Sequence, residues 1–119
     1  MNDSDRLRLQ HMLDAAREAV SFAKGRTRDD LSQDRMLLLS LVKEVEIVGE
    51  AASRVSPAGQ VSTPGVPWEK LTGMRNRLIH GYFDWNVDVI WATVNSNLPQ
   101  LIVELEKALF GEGEDRDGV

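Results

Sequence analysis

Residues 31–55, LSQDRMLLLSLVKEVEIVGEAASRV, decide the fold of this chain. Apolar side chains recur along them at the spacing of an α-helix. The stripe consists of Leu38, Leu41, Val42, Val45, Val48, Ala52 and Val55. The centre of the stretch, MLLLSLV, is apolar on more than one side. A helix with that pattern is central in a bundle, or faces a partner as well as its own core.

The segment before this helix predicts another helix, and the segment after it predicts a loop and the start of a further helix. Helical periodicity over residues 4–24 indicates a long first helix, with Ser4 or Asp3 as its N-cap. Residues 56–67, SPAGQVSTPGVP, contain three of the four prolines and two glycines, which predicts a loop. Pro67 suits the first turn of the next helix, because its missing N–H needs no partner there.

The C-terminal half completes an all-α pattern. The third helix is expected to end near Gly81, and a fourth to start at Asp84 or Asn86 and run to Phe110. Pro99 lies inside the fourth helix and should bend it, since proline removes one backbone hydrogen bond. We therefore predict an up-and-down bundle of four main helices with room for a short fifth.

The composition fits one small domain. With 119 residues and 42% hydrophobic residues, residues 1–110 are predicted to form a single helical domain. Residues 111–119 form an acidic, glycine-rich tail for which we expect disorder. The chain contains no cysteine, which excludes disulfides and thiolate metal sites. Its first residues lack a signal-peptide pattern and no apolar run is long enough to span a bilayer, so a cytoplasmic protein is expected.

Charge is distributed unevenly along the chain. The formal net charge of −5 excludes a globally basic surface for nucleic acid. Residues 66–82 nevertheless carry three basic residues and one acid, whereas residues 83–119 carry eight acids and two basic residues. The sequence thus predicts a local positive patch on an acidic body.

That patch contains a dense group of polar side chains, GMRNRLIHGYF at residues 73–83. On a helix, Asn76 and His80 share one face and Arg75 and Tyr82 share another. Arg75 and His80 are separated by about 140° of rotation, so a straight helix does not bring them together. The arginine could reach round, the helix could end at Gly81, or two copies could meet across a two-fold axis.

Two interpretations of these residues remain open from the pattern alone. In the structural one, Arg75 and Arg77 pair with acids, His80 is a satisfied helix-end histidine and Tyr82 an ordinary aromatic. The acids available are Glu44, Glu50 and Asp84. In the functional one, the group performs phosphodiester chemistry: histidine moves a proton near neutral pH, and arginine stabilises charge on a phosphate. Other chemistries lack residues, since the chain has two histidines and no phosphate-binding glycine loop.

Three stretches carry a resemblance to a known family: IVGEAASRVS at 47–56, GVPWEKLTGMRNRLIHGYF at 65–83 and VIWATVNSNLPQL at 89–101. Together they resemble the HepT-type branch of the HEPN superfamily, toxins of prokaryotic toxin–antitoxin pairs. The family motif is an arginine, four residues, a histidine, one residue and a tyrosine. It reads here as Arg75, NRLI, His80, Gly81 and Tyr82. The resemblance extends over roughly residues 7–109.

The resemblance implies a homodimer whose motif helices build a composite cleft, which would bring Arg75 and His80 together. It implies a metal-independent RNase that needs no cofactor. By that resemblance Arg75 binds phosphate, His80 is the general acid/base, Asn76 supports the site and Arg77 is a second phosphate contact.

The resemblance also implies two partners besides a second copy of the chain. One is the RNA substrate, with neither DNA nor a membrane expected. The other is an MntA-type minimal nucleotidyltransferase, the antitoxin, which transfers AMP from ATP to Tyr82. The alternative is a non-catalytic module that binds nucleotide or docks the transferase. That alternative gains weight if Glu50 locks Arg75 away from phosphate.

Overall fold

All regular structure in the described part of the chain is helical. The computed structural model describes residues 1–80 and 86–111, apart from the side chains of Ile79 and His80. Its α-helices are α1 (Asp3–Ala23), α2 (Arg28–Gln33), α3 (Arg35–Ser53), α4 (Pro57–Val61), α5 (Trp68–His80), α6 (Val87–Ala92) and α7 (Leu98–Glu106). Two π-helical segments, Thr93–Asn97 and Lys107–Gly111, follow α6 and α7. The predicted all-α class is confirmed.

Helix α3 lies at the centre of the bundle, as its apolar pattern predicts. It packs against α1 on one side and α5 on another, and it also contacts α2 and α6. Helix α7 packs on α1 and completes the core. The fully buried side chains of this core include Leu9, Met12 and Leu13 of α1, Leu41, Val45 and Val48 of α3, and Leu98 and Leu105 of α7. On the outer side of α3, Met36 and Leu39 remain exposed.

The helix predicted over 31–55 is interrupted, and that expectation is wrong at its start. Asp34 separates α2 from α3, because its carboxylate accepts a hydrogen bond from the backbone N–H of Leu37 at 3.1 Å and thereby caps α3. The same carboxylate accepts a hydrogen bond of 2.9 Å from Arg26 Nη2. Helix α2 has its own start, a capping box between Thr27 and Asp30.

The loop predicted over 56–67 contains the short helix α4. Ser56 caps it by accepting from the N–H of Gly59, and Pro57 occupies its first turn. Ser56 also donates its N–H to Asp5 at 2.9 Å, which ties α4 to α1. The predicted N-cap of α1 is wrong as well: Asn2, not Asp3 or Ser4, accepts from the N–H of Asp5.

The last predicted helix begins at a cap that the sequence indicates. Asn86 accepts from the N–H groups of Asp88 and Val89 at 2.9 and 3.2 Å. The π-helical segment Thr93–Asn97 leads directly into α7, which has Pro99 in its first turn, and the bend expected at Pro99 stays a prediction. There the N–H of Leu98 bonds to the carbonyl of Thr93, five residues back.

Several predictions concern residues outside the described part. Residues 81–85, which include Asp84 and Tyr82, lie outside it, as do residues 112–119 of the predicted tail. Gly111, the first residue of that tail, is the last residue of the second π-helical segment. The division into domain 1–110 and tail 111–119 stays a prediction. Among the described helices, none is both long and apolar enough to cross a membrane.

Candidate active site

Arg75 is anchored where α5 crosses α3. Its Nε donates to Glu50 Oε2 at 2.6 Å, and 27% of its side chain is exposed. The two helices approach closely here, since a Cβ added to Gly49 would lie 2.6 Å from the Cβ of Arg75. A glycine at this position therefore lets α5 come near enough for Arg75 to reach the carboxylate of the next residue along α3.

Glu50 serves two arginines. Its Oε1 accepts from Nη2 of Arg54, the residue directly after α3, at 3.2 Å, while Oε2 faces Arg75. The hydrogen bond from Arg75, and then that from Arg54, hold the pKa of Glu50 below its ordinary value. The carboxylate is therefore ionised at neutral pH, and it compensates part of the charge of both guanidinium groups.

The pairing with Glu50 uses only one edge of the Arg75 guanidinium. Nη1 makes a longer contact of 3.4 Å to Asn76 Oδ1. Among the atoms that the structure describes, no hydrogen-bond acceptor is found for Nη2. Because an arginine carries five N–H donors, a group held through Nε can still present N–H bonds to a phosphate.

Of the predicted site residues, the structure brings Asn76 beside Arg75 and places Arg77 elsewhere. Asn76 is exposed and touches the arginine through the 3.4 Å contact. Arg77 lines a different groove, of about 960 Å³, between α5 and the helices α6 and α7. Arg75 and Arg77 thus lie on different faces of α5.

His80 and Tyr82 cannot be placed against Arg75. His80 is the last residue of α5, four residues after Asn76, and its side chain lies outside the described atoms. Tyr82 lies outside the described residues. Their assigned roles stay predictions.

Glu44 is not available to the arginines. It is buried between α1 and α3, with 6% exposed, and its Oε2 has no hydrogen-bond partner among the described residues. Burial, and then the neighbouring carboxyl of Glu18, raise the pKa of Glu44 to about 7. The idea that Glu44 pairs with Arg75 or Arg77 is therefore not realised, whereas the pairing of Arg75 with Glu50 is.

A second cleft, missed by the sequence reasoning, adjoins this site. It encloses about 420 Å³ between α1 and α3 and is lined by Arg8, His11, Lys43, Glu46, Glu50 and Arg54. A signal was present: Arg8 and His11 are three residues apart, and Lys43 and Arg54 are eleven apart, which returns to nearly the same helix face. In the described part of the chain, no three His, Asp or Glu side chains are arranged to hold a metal ion.

Comparison with known proteins identifies the family. Residues 12–108 match the family described as Ribonuclease HepT-like. The chain is 32% identical over 104 residues to "Putative RNase TTE0752" of Caldanaerobacter subterraneus subsp. tengcongensis, covering 87% of this chain and 93% of that one. It is 32% identical over 94 residues to "Probable ribonuclease HepT" of Thermococcus cleftensis, covering 76% and 86%.

A third relative agrees with these two. "Putative RNase MJ0127" of Methanocaldococcus jannaschii is 29% identical over 112 residues, covering 93% of each chain. No solved structure matches the sequence. The predicted enzyme class, a ribonuclease, is confirmed, and this chain belongs to the Ribonuclease HepT-like family.

Proposed function

We propose that the protein cleaves RNA without a metal ion, with Arg75 binding the scissile phosphate and His80 moving protons. The observation that carries the proposal is the one-sided anchoring of Arg75. Glu50 fixes the guanidinium through Nε at 2.6 Å, and about a quarter of the side chain stays accessible. An arginine held in this way is preorganised for a phosphate, because little rotamer freedom remains to be lost on binding.

The chemistry needs one proton acceptor and one proton donor. In the proposed step a base takes the proton of the RNA 2′-hydroxyl, and that oxygen attacks the neighbouring phosphorus. The bond to the 5′-oxygen breaks, a proton goes to that oxygen, and a 2′,3′-cyclic phosphate remains. Histidine suits both transfers near neutral pH. Arg75 stabilises the charge that gathers on the phosphate oxygens, with Asn76 in support and Arg77 as a more distant phosphate contact.

The angle between Arg75 and His80 on α5 favours a composite cleft built by two chains. Arg75 and His80 lie about 140° apart on this helix, too far for one straight helix to aim both at one phosphate. We infer that two copies of the chain pair so that each cleft takes residues from both. Light scattering should then report a dimer, and a variant that is monomeric yet fully active would contradict the composite cleft.

We further propose that the enzyme is the toxin of a toxin–antitoxin pair, controlled at Tyr82. A nucleotidyltransferase antitoxin would join AMP to the phenol oxygen, with pyrophosphate leaving from ATP. The added phosphate would compete with RNA for Arg75. RNA and ATP are both abundant in the cytoplasm, where we expect the protein to act. Co-expression with a transferase encoded beside it should add mass in AMP steps to the wild type but not to Tyr82→Phe.

The alternative function, a non-catalytic nucleotide-binding or docking module, also has an observation in its favour. The ion pair of Arg75 with Glu50 is short and could hold the arginine away from phosphate. A Glu50→Gln variant separates the two cases. If Glu50 positions Arg75 for catalysis, the variant cleaves RNA more slowly than the wild type. If Glu50 locks Arg75 in a binding module, neither protein cleaves RNA and the variant binds nucleotide more tightly.

The deciding experiment is RNA cleavage by purified protein in the presence of a chelator, with mass confirming an unmodified Tyr82. We expect the wild type to cleave and His80→Ala to be slower by a factor of about 100 or more, the typical contribution of a general acid/base. Arg35→Gln, which changes an exposed arginine at the start of α3, is the matched control for loss of a charge. No cleavage by unmodified wild type on a broad RNA pool would favour the binding module.

A further inference from the structure

The cleft between α1 and α3 has the dimensions and the lining of a ligand site. It encloses about 420 Å³, within the range of about 300–1,000 Å³ that ligand pockets occupy. Arg8 and His11 come from α1, and Lys43 comes from α3, with Arg54 directly after its last residue. Two long helices of the core thus supply both walls, which gives the lining side chains a rigid base.

The basic side chains of this cleft are only partly neutralised. Lys43 lies 3.8 Å from Glu46, and Arg54 shares Glu50 with Arg75. For Arg8, no acidic partner occurs among the described residues, and its Nε is buried without a hydrogen bond there. A buried guanidinium N–H without an acceptor costs free energy, and a small movement of the Arg8 side chain toward an oxyanion in the cleft would relieve that cost.

Glu50 makes this cleft continuous with the candidate site. One oxygen of its carboxylate faces Arg54 in the cleft, and the other faces Arg75 of the family motif. A strand with one phosphate bound to Arg75 would therefore bring its next phosphates close to the positive side chains of the cleft. The cationic side chains then follow one another from α5 across α3 to α1.

We propose that this cleft binds the phosphodiester backbone of the RNA substrate beside the cleaved bond. The inference rests on the proposed function, since it assigns the path of the same substrate. Arg8 offers a planar fork of donors for phosphate oxygens, and Lys43 offers a mobile point charge. His11 adds a ring that can stack on a base or donate to a phosphate. The contacts are to backbone, so the cleft contributes affinity and register more than sequence preference.

The test measures binding separately from cleavage. The probe is a fluorescein-labelled, mixed-sequence oligonucleotide with 2′-O-methyl sugars, which lacks the attacking hydroxyl and stays intact. Its dissociation constant is measured by anisotropy over a series of salt concentrations for wild type, Arg8→Gln and Lys43→Gln. Arg35→Gln removes the same charge from an exposed position that does not line the cleft. Circular dichroism and light scattering verify that each variant keeps its fold and assembly.

We expect Arg8→Gln to weaken binding about tenfold, as the removal of a charged hydrogen bond does. The slope of log affinity against log salt should fall by about 0.7 for each phosphate of a single strand that the variant no longer neutralises. Lys43→Gln should show the same fall in slope. Because the Lys43 side chain is 68% exposed, its replacement should not disturb folding, so this variant tests the cleft even if Arg8→Gln fails to fold. Arg35→Gln should keep the wild-type slope.

Three results would overturn the inference. The first is wild-type affinity and slope in both cleft variants, and the second is an equal reduction of both in Arg35→Gln, which would indicate net charge alone. The third is displacement of the oligonucleotide by AMP or inorganic phosphate at equal phosphate concentration, which would indicate a mononucleotide or anion site. RNA cleavage by the wild type, together with cleft variants that bind as the wild type does, would defeat the cleft but not the ribonuclease. A reduced slope in the cleft variants, without any RNA cleavage by the wild type, would defeat the ribonuclease but not the cleft.

Discussion

The close approach of α3 and α5 predicts that Gly49 is the least replaceable glycine of the site. A methyl group at position 49 would lie 2.6 Å from the Cβ of Arg75 and 3.4 Å from its Cα. These atoms are fixed to the backbone of α5, so a rotamer change cannot relieve the overlap. Gly49→Ala must push α5 away from α3 or tilt it, and either movement draws Arg75 off Glu50.

Gly73 provides the matched control for the size of the effect. It also lies inside a helix, α5, but a Cβ added there meets no described atom within 4 Å. Both alanine variants gain about 1 kcal/mol of helix propensity. Only Gly49→Ala incurs the overlap, and overpacking costs about 1–3 kcal/mol. Gly73→Ala should therefore be more stable than wild type, and Gly49→Ala less stable than Gly73→Ala by about 1–3 kcal/mol.

Urea unfolding followed by circular dichroism measures that difference, and RNA cleavage measures its functional side. We expect Gly73→Ala to cleave RNA at the wild-type rate and Gly49→Ala to lose most of the activity, because Arg75 is displaced. Equal stability of the two alanine variants would refute the reasoning about the helix crossing. A fully active Gly49→Ala would refute the need for Arg75 at its observed place.

Two other perturbations test the fold around the site. Below pH 7 the native state keeps a proton on Glu44 that the unfolded chain releases near pH 4.5. Stability from this group is therefore greatest below pH 4.5 and declines by up to about 1.4 kcal/mol per pH unit until about pH 7. Glu44→Gln should lack that decline and be the more stable protein at pH 8, as urea titrations at several pH values would reveal; parallel pH profiles would contradict the burial argument. Asn86→Ala removes the cap of α6 and should cost about 1 kcal/mol in the same assay, whereas Asn86→Asp, which keeps an acceptor, should cost less.

The apolar periods predicted the long helices, but the competing local interactions were harder to foresee. The stripe that defines α3 continues through Leu31, so nothing in the apolar pattern marks a break at Asp34. The break arises because Asp34 both caps α3 and pairs with Arg26, eight residues earlier. Helix α4 was hidden by proline and glycine content, although Ser56 followed by Pro57 is a good helix start.

In the candidate site too, some features follow from the local sequence and others depend on contacts between distant residues. The family motif is local in the sequence, and its residues from Arg75 to His80 lie on α5. The pattern alone left two interpretations of it open, and the resemblance of three stretches to the family favoured the functional one. The partner of Arg75 could only be named among several acids, because Glu50 is 25 residues away and the helix crossing selects it. The cleft on α1 and α3 depends on which faces of two distant helices meet. Such contacts follow from packing of the core, which one sequence does not determine residue by residue.

The location of charge, more than its sum, decides whether this acidic chain can hold RNA. Charges separated by more than a Debye length, about 8 Å at physiological salt, are largely screened. Several acids elsewhere are engaged by arginines: Asp30 and Asp34 with Arg26, Glu106 with Arg17 and Asp88 with Arg28.

Around the site, the described residues include four cations and two acids. The cations are Arg8, Lys43, Arg54 and Arg75, and the acids are Glu46 and Glu50. The local balance is positive although the chain has a net charge of −5. Glu50 limits that balance and fixes Arg75 at the same time, so its removal should strengthen non-specific RNA binding while it slows cleavage. Opposite changes in affinity and rate in Glu50→Gln would distinguish a positioning carboxylate from a purely electrostatic one.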